Sequence, residues 1–157
     1  MTKKISLILV PTDFSACSAE AIRWAVSLAG PLSAGILLLH VINQDIVDDL
    51  LSIPGMTLNI LKKREDRALR ELFESAVAEE GDRTFLKSAL VAMGDPAEKI
   101  VTAAFETRAD LIVIPTYGHR EPSPDSVGSV TERVIRTAGC PVLTLQAACC
   151  DETFTDL

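Results

Sequence analysis

The residues best suited to chemistry fall in one stretch, IPTYGHREPSPDSVGSVTERV, residues 114–134. Gly118 is followed by Gly128 and Ser129, the last two opening a segment with helical periodicity. Glycine lets a backbone approach an anion closely, and a helix N-terminus presents unpaired N–H groups and a partial positive charge. The hydroxyls of Ser129 and Thr131 add donors, and His119 beside Arg120 offers groups that can meet a phosphate. This combination is suited to a phosphate; the same spacing also suits a flexible loop with a glycine at a helix start, and the residues alone leave both readings open.

A second candidate is Asp13 in VPTDFS, just after the first apolar run. Its carboxylate can accept hydrogen bonds from an adenine amine or a ribose hydroxyl, or it can simply stabilise the N-terminus of the next helix. A phospho-accepting role needs further acidic groups at neighbouring strand ends, and the sequence places none there. His40 lies within an apolar strand and reads as a core residue, not a base. There is no Walker motif, no GxSxG elbow and no GxGxxG after the first strand, so the templates of an enzyme are missing.

These residues must be positioned by strands and helices, and the apolar pattern supplies them. ISLILVP (5–11), GILLLHV (35–41) and LIVIP (111–115) are uninterrupted, as expected of strands covered on both faces in a parallel sheet. TFLKSALVAM (84–93) and PVLTL (141–145) mix in polar residues and suit the sheet edges. From an N-cap at Ser15, Ile22, Ala25, Val26 and Ala29 share one helical face. A long helix is predicted over 57–80, with Leu58, Leu61, Ala68, Leu69, Leu72 and Ala76 inward and the charges from Lys62 to Asp66 solvated.

Asp95, Pro96 and Glu98 form the cap of a third helix reaching about Arg108, and a fourth starts near Gly128 and ends at Gly139. The alternation βαβαβαβαβ predicts a doubly wound α/β three-layer sandwich with a parallel sheet. Ligands of such sheets bind at the carboxyl ends of the strands where the winding reverses. That directs attention to the loops after strands one and four, the latter unusually long.

With 157 residues, the chain has room for one domain and a large core, consistent with 48% apolar residues. A net charge of −7 with scattered basic residues argues against nucleic acid as a partner. The N-terminal apolar run is short and lacks a cleavage site, and no run approaches the roughly 18 residues that cross a bilayer, so a cytoplasmic, membrane-free protein is expected. Cys17, Cys140, Cys149 and Cys150 are then expected as reduced thiols, and no ligand set for a metal surrounds the adjacent pair. The domain is placed at 1–146 and an acidic tail at 147–157, to which no function is assigned.

Taken together, LILVPTDFSACSAEAIRWAVSLA, ILLLHV, GDPAEKIV and GHREPSPDSVGSVTERVIRTAGCPVLTL resemble the universal stress protein family over residues 5–145. The family's nucleotide motif is Gly, two residues, Gly, nine residues, then Gly-Ser or Gly-Thr. Here Pro115 stands in the first position, Gly118 in the second, and Gly128 with Ser129 in the last. The resemblance implies strand order 3-2-1-4-5 and a homodimer through the last strand, Pro141 to Leu145.

In members that bind ATP, the positions matching Pro11, Thr12, Asp13 and Val41 surround the adenine and ribose. Those matching Gly118, Gly128, Ser129, Val130 and Thr131 hold the phosphates, with Pro115, Thr116, Tyr117, His119 and Arg120 alongside. Proline has no N–H and fixes φ near −65°, so Pro115 removes one contact a glycine would give. Pro122 and Pro124 remove further donors, and Glu121 and Asp125 add negative charge that a divalent cation such as Mg²⁺ could bridge to phosphate.

The expectation is a dimeric, adenine-nucleotide-binding regulator of the stress response. It would take ATP, or ADP or AMP, with at most slow hydrolysis because no general base or positioned lysine is evident. The alternative is a dimeric interaction module of the same family that binds no nucleotide, its protein partner unknown.

Overall fold

The computed structural model describes residues 2–78, 83–117 and 127–146. The elements follow in the order β1 (Leu7–Thr12), α1 (Ala16–Leu32), β2 (Gly35–Ile42), α2 (Gln44–Leu51), α3 (Leu58–Val77), β3 (Leu86–Met93), α4 (Pro96–Thr107), β4 (Leu111–Pro115), α5 (Ser129–Thr137) and β5 (Val142–Leu145). The strands form one parallel sheet in the order β3-β2-β1-β4-β5. This is the predicted doubly wound sandwich, with β3 and β5 at the edges.

The uninterrupted apolar strands are explained by two cores, one on each face of the sheet. Ile8, Val10, Ile36 and Leu38 pack against Ile22 of α1 and Leu69 and Phe73 of α3. Leu9, Leu37, Leu39, Ile112 and Ile114 pack against Ile100 of α4 and Val134 of α5. Alternate residues of one strand therefore enter different cores, and neither face can be polar.

Local signals set the helix starts. Ser15 accepts from the Ser18 N–H, Thr57 from the Ile60 N–H and Asp95 from the Glu98 N–H, each satisfying a donor that the first turn leaves open. Pro96 occupies the first turn of α4, where its missing N–H costs no helical bond.

The structure departs from the sequence reading in several places. A short helix, α2, precedes α3; Asn43 caps it, and Val47 is its one buried residue, packed with Ile42 and Leu61. Helix α3 spans Leu58–Val77, and Leu61 is its first buried residue, while Leu58 is exposed. Glu65 does not join a fully solvated face, because it lies beside His40 with its side chain 18% exposed. Strand β3 begins at Leu86, since Arg83–Phe85 form a 3₁₀ turn.

Cys17 is disulfide-bonded, against the expectation of reduced thiols, and Cys140 is free. Composition indicates a compartment but does not decide which thiols the fold brings together. Cys149, Cys150 and the rest of the tail from 147 onward also lie outside the described residues. Among the described residues, no helix is long and apolar enough to cross a membrane.

At the amino ends of the strands, Asp110 ties β1 to β4. Its carboxylate accepts from the backbone N–H of Ser6 at 2.9 Å and of Leu7 at 3.2 Å, with Lys3 at 3.5 Å. The Ser6 bond, then the Leu7 bond and the Lys3 charge, hold this carboxyl below its ordinary pKa against the opposing effect of burial. A lowered folded-state pKa stabilises the fold above the unfolded-state value and loses that contribution as pH falls through the folded-state value. Asp110→Ala is therefore expected to cost about 1–2 kcal/mol at pH 7, read by urea unfolding, with the gap to the parent closing in acid below about pH 4. A gap that stays constant from pH 7 to pH 3 would refute this role.

Candidate functional site

The loop from β1 into α1 is built by short polar side chains closing on their own backbone. The Phe14 N–H donates to Thr12 Oγ1 at 3.1 Å, and the Ser15 N–H donates to Asp13 Oδ1 at 3.0 Å. Ser18, 1% exposed, sits between them: its hydroxyl accepts from the Asp13 N–H at 3.1 Å and donates to Asp13 Oδ1 at 2.7 Å. Such side-chain turns fix a loop that has no ladder to hold it. Phe14 takes a φ of 64°, in the left-handed region that costs a non-glycine residue energy.

Across the sheet, β4 ends at Pro115. The N–H groups of Ile112 and Thr116 both donate toward β5, to Pro141 O and Leu145 O, so the intervening odd position faces β1. The β1–β4 ladder contains only Ile8–Leu111 and Leu9–Ile112. The missing N–H of Pro115 thus falls where the two strands have already parted, and no ladder bond is lost. Pro115 is a strand residue, and its carbonyl accepts from the buried Thr131 hydroxyl at 2.8 Å.

Helix α5 returns to this edge with Gly128 as its N-cap and no side chain capping it. The Gly128 N–H donates to Thr116 O at 2.9 Å. A Cβ at Gly128 would lie 2.9 Å from that same oxygen, so the glycine is required by space; its φ of −56° is open to any residue. Among the described residues, no acceptor engages the N–H groups of Ser129, Val130 and Thr131. These amides, together with Ser129 Oγ, are the donors left at the helix N-terminus. Arg133 of α5 donates to Asp95, the cap of α4, at 2.8 Å, tying together the two helices that flank the site. That hydrogen bond is the largest effect holding the Asp95 carboxyl below its ordinary pKa.

The parting of β1 and β4 opens a cavity of about 300 Å³. Pro11, Leu39, Val41, Ile100, Ile114 and Pro115 give it apolar walls, and Gly128 to Thr131 form its polar end. An apolar cavity that includes uncapped helix amides matches a heterocycle carrying an anionic tail. Among the described lining residues, Asp13 and Tyr117 are the titratable groups, and there is no lysine or arginine. Among the described residues, no group of three or more His, Cys, Asp or Glu side chains is arranged to hold a metal.

Of the residues singled out from sequence, Pro11, Thr12, Asp13, Val41, Pro115, Tyr117, Gly128, Ser129, Val130 and Thr131 line this one cavity. Thr116 does not. Its N–H and hydroxyl both donate to Leu145 O and its carbonyl accepts from Gly128, so it ties β4, β5 and α5 together. Gly118, His119 and Arg120, with Glu121, Pro122, Pro124 and Asp125, lie outside the described residues.

Two assumed phosphate donors are already committed, the Gly128 N–H and the Thr131 hydroxyl. Ser18, Leu39, Pro96, Ile100 and Ile114 also line the cavity and were not anticipated. Strand alternation from Val41 finds Leu39, and one helical turn from Pro96 at the head of α4 finds Ile100.

The sequence matches the Universal stress protein family over residues 4–146. It is 33% identical to Universal stress protein MJ0531 of Methanocaldococcus jannaschii over 144 residues, covering 88% of this chain and 81% of the relative. The solved structure of MJ0577, from the same archaeon, superposes with a TM-score of 0.71 at 26% identity, covering 92% of this chain and 97% of that one. A universal stress protein solved in complex with cAMP shares the fold, with a TM-score of 0.63 at 20% identity over 92% of this chain and 98% of that one. With the family's match spanning every described element, from β1 through β5, this chain belongs to the universal stress protein family.

Proposed function

We propose that this protein binds an adenine nucleotide in the cleft between β1 and β4 and acts as a dimeric, nucleotide-dependent regulator in the stress response. The observation that carries the reading is the cavity itself: apolar walls at one end, and at the other the uncapped amides of Ser129, Val130 and Thr131. The walls suit a purine, and the helix N-terminus suits a phosphate. Asp13, fixed by Ser15 and Ser18, presents a carboxylate for a ribose hydroxyl or an adenine amine.

The protein is read as a binder. Among the described lining residues there is no lysine or arginine to meet a phosphate, and the Asp13 carboxylate is engaged by Ser15 and Ser18, so ATP hydrolysis is expected to be slow at most. Isothermal titration with ATP, ADP and AMP, with and without Mg²⁺, tests the reading, together with mass spectrometry of nucleotide released from freshly purified protein. Saturable binding is expected. No heat at millimolar ligand and no released nucleotide would overturn it in favour of a nucleotide-free interaction module. Gly128→Ala pushes a methyl onto Thr116 O, so it is expected to weaken binding by roughly tenfold or more, since small misplacements of a phosphate cradle are costly.

The dimer is proposed to form through β5. Among the described residues that strand is a sheet edge paired with β4 alone, and Leu143 on it is exposed. A sheet edge with an exposed apolar side chain is a template for pairing with a second copy. Light scattering is expected to give twice the chain mass for the parent protein and a monomer for Leu143→Lys. A parent monomer, or a variant still dimeric, would count against this edge.

A further inference from the structure

His40 points away from the nucleotide cleft, into the opposite face of the sheet, yet it touches the loop that carries Asp13. Side chains along β2 alternate: Leu39 and Val41 line the cavity, while Leu38 and His40 look toward α1 and α3. From there His40 Nδ1 lies 2.8 Å from the carbonyl of Thr12. A carbonyl only accepts, so Nδ1 carries the proton. The imidazole also packs against the Phe14 ring, with centroids 4.5 Å apart and planes at 53°. Nε2 faces Glu65 of α3 at 3.8 Å, beyond hydrogen-bond reach.

We infer that His40 is a positioning residue for the site: it braces the Thr12–Phe14 turn from behind and so holds the Asp13 carboxylate at the cleft. The inference rests on the nucleotide-binding reading for its functional meaning. Its structural basis is separate. Phe14 keeps an unfavourable φ of 64°, and such a conformation persists only where the surroundings over-determine it. Thr12 Oγ1 holds the Phe14 N–H, while the His40 ring packs on the Phe14 side chain and holds the carbonyl at Thr12. Both ends of the strained unit are thereby fixed, with Asp13 between them. Loss of the imidazole donor leaves the Thr12 carbonyl without this bond and frees the turn to relax.

Two substitutions separate this role from ordinary packing. His40→Phe keeps a ring against Phe14 and removes the donor. His40→Asn loses the ring and keeps an amide N–H close to the position of Nδ1. Amide hydrogen exchange at Asp13, Phe14 and Ser15, whose N–H groups are all bonded within the turn, is read by NMR in nucleotide-free protein. ATP affinity is read by titration and thermal stability by calorimetry.

His40→Phe is expected to speed exchange at these amides and weaken ATP binding roughly five- to tenfold, the worth of about one buried hydrogen bond. His40→Asn is expected to restore both to within about twofold of the parent, a rescue that lost packing alone would not give. Unchanged exchange in His40→Phe, or loosening of His40→Asn to the same degree in step with its thermal stability, would overturn the inference. If the parent protein binds no nucleotide, the functional reading falls, and the exchange data still decide whether His40 braces the turn.

Discussion

β1 and β4 are hydrogen-bonded at Ile8–Leu111 and Leu9–Ile112 and part beyond those pairs. The chain leaves β1 through α1 to reach β2 on one side, and returns from β3 through α4 to place β4 on the other. Right-handed crossovers then put α1 and α3 on one face and α4 and α5 on the opposite one. No helix can cover the carboxyl ends of both central strands, so a cleft opens between them. The position of Pro115 follows from the same parting, because its nitrogen faces a neighbour that is no longer there to accept a bond.

Within the cleft, the polar groups divide between building the site and remaining available to a ligand. Thr131 Oγ1 closes on Pro115 O, the Gly128 N–H closes on Thr116 O, and Thr116 itself closes on Leu145 O. These bonds join β4, β5 and α5 into one frame, in which buried polar atoms are satisfied as they must be in a low-dielectric interior. The frame holds the remaining amides of α5 in place at the cavity. On the opposite wall, Ser18 does the same for Asp13. Preorganisation of this kind lets a ligand bind without ordering the loop at the moment of contact.

Much of this was legible in the residues. Apolar runs at 5–11, 35–41 and 111–115 suit strands buried on both faces, and the Asp95-Pro96 and Gly128-Ser129 pairs mark helix starts. The family resemblance brought Pro11, Thr12 and Val41 to the site, which composition and periodicity alone would have left as ordinary strand ends. Helix α2 escaped because eight residues with a single buried side chain leave too little periodicity to read. The partner of Glu65 escaped because a charged residue within a charged run looks the same whether it meets water or a histidine 25 positions away in sequence.

The residues on their own dictate the layered α/β architecture and the order of most elements, since these depend on local propensity and on which residues exclude water. The assembled fold settles which donors remain for a ligand, why a proline is tolerated at the end of β4, and how His40 reaches the Thr12 carbonyl. Each of those depends on a hydrogen bond between residues 12 to 29 positions apart. The register of neighbouring strands sets such distances, and register is a property of the assembled sheet that no single segment encodes.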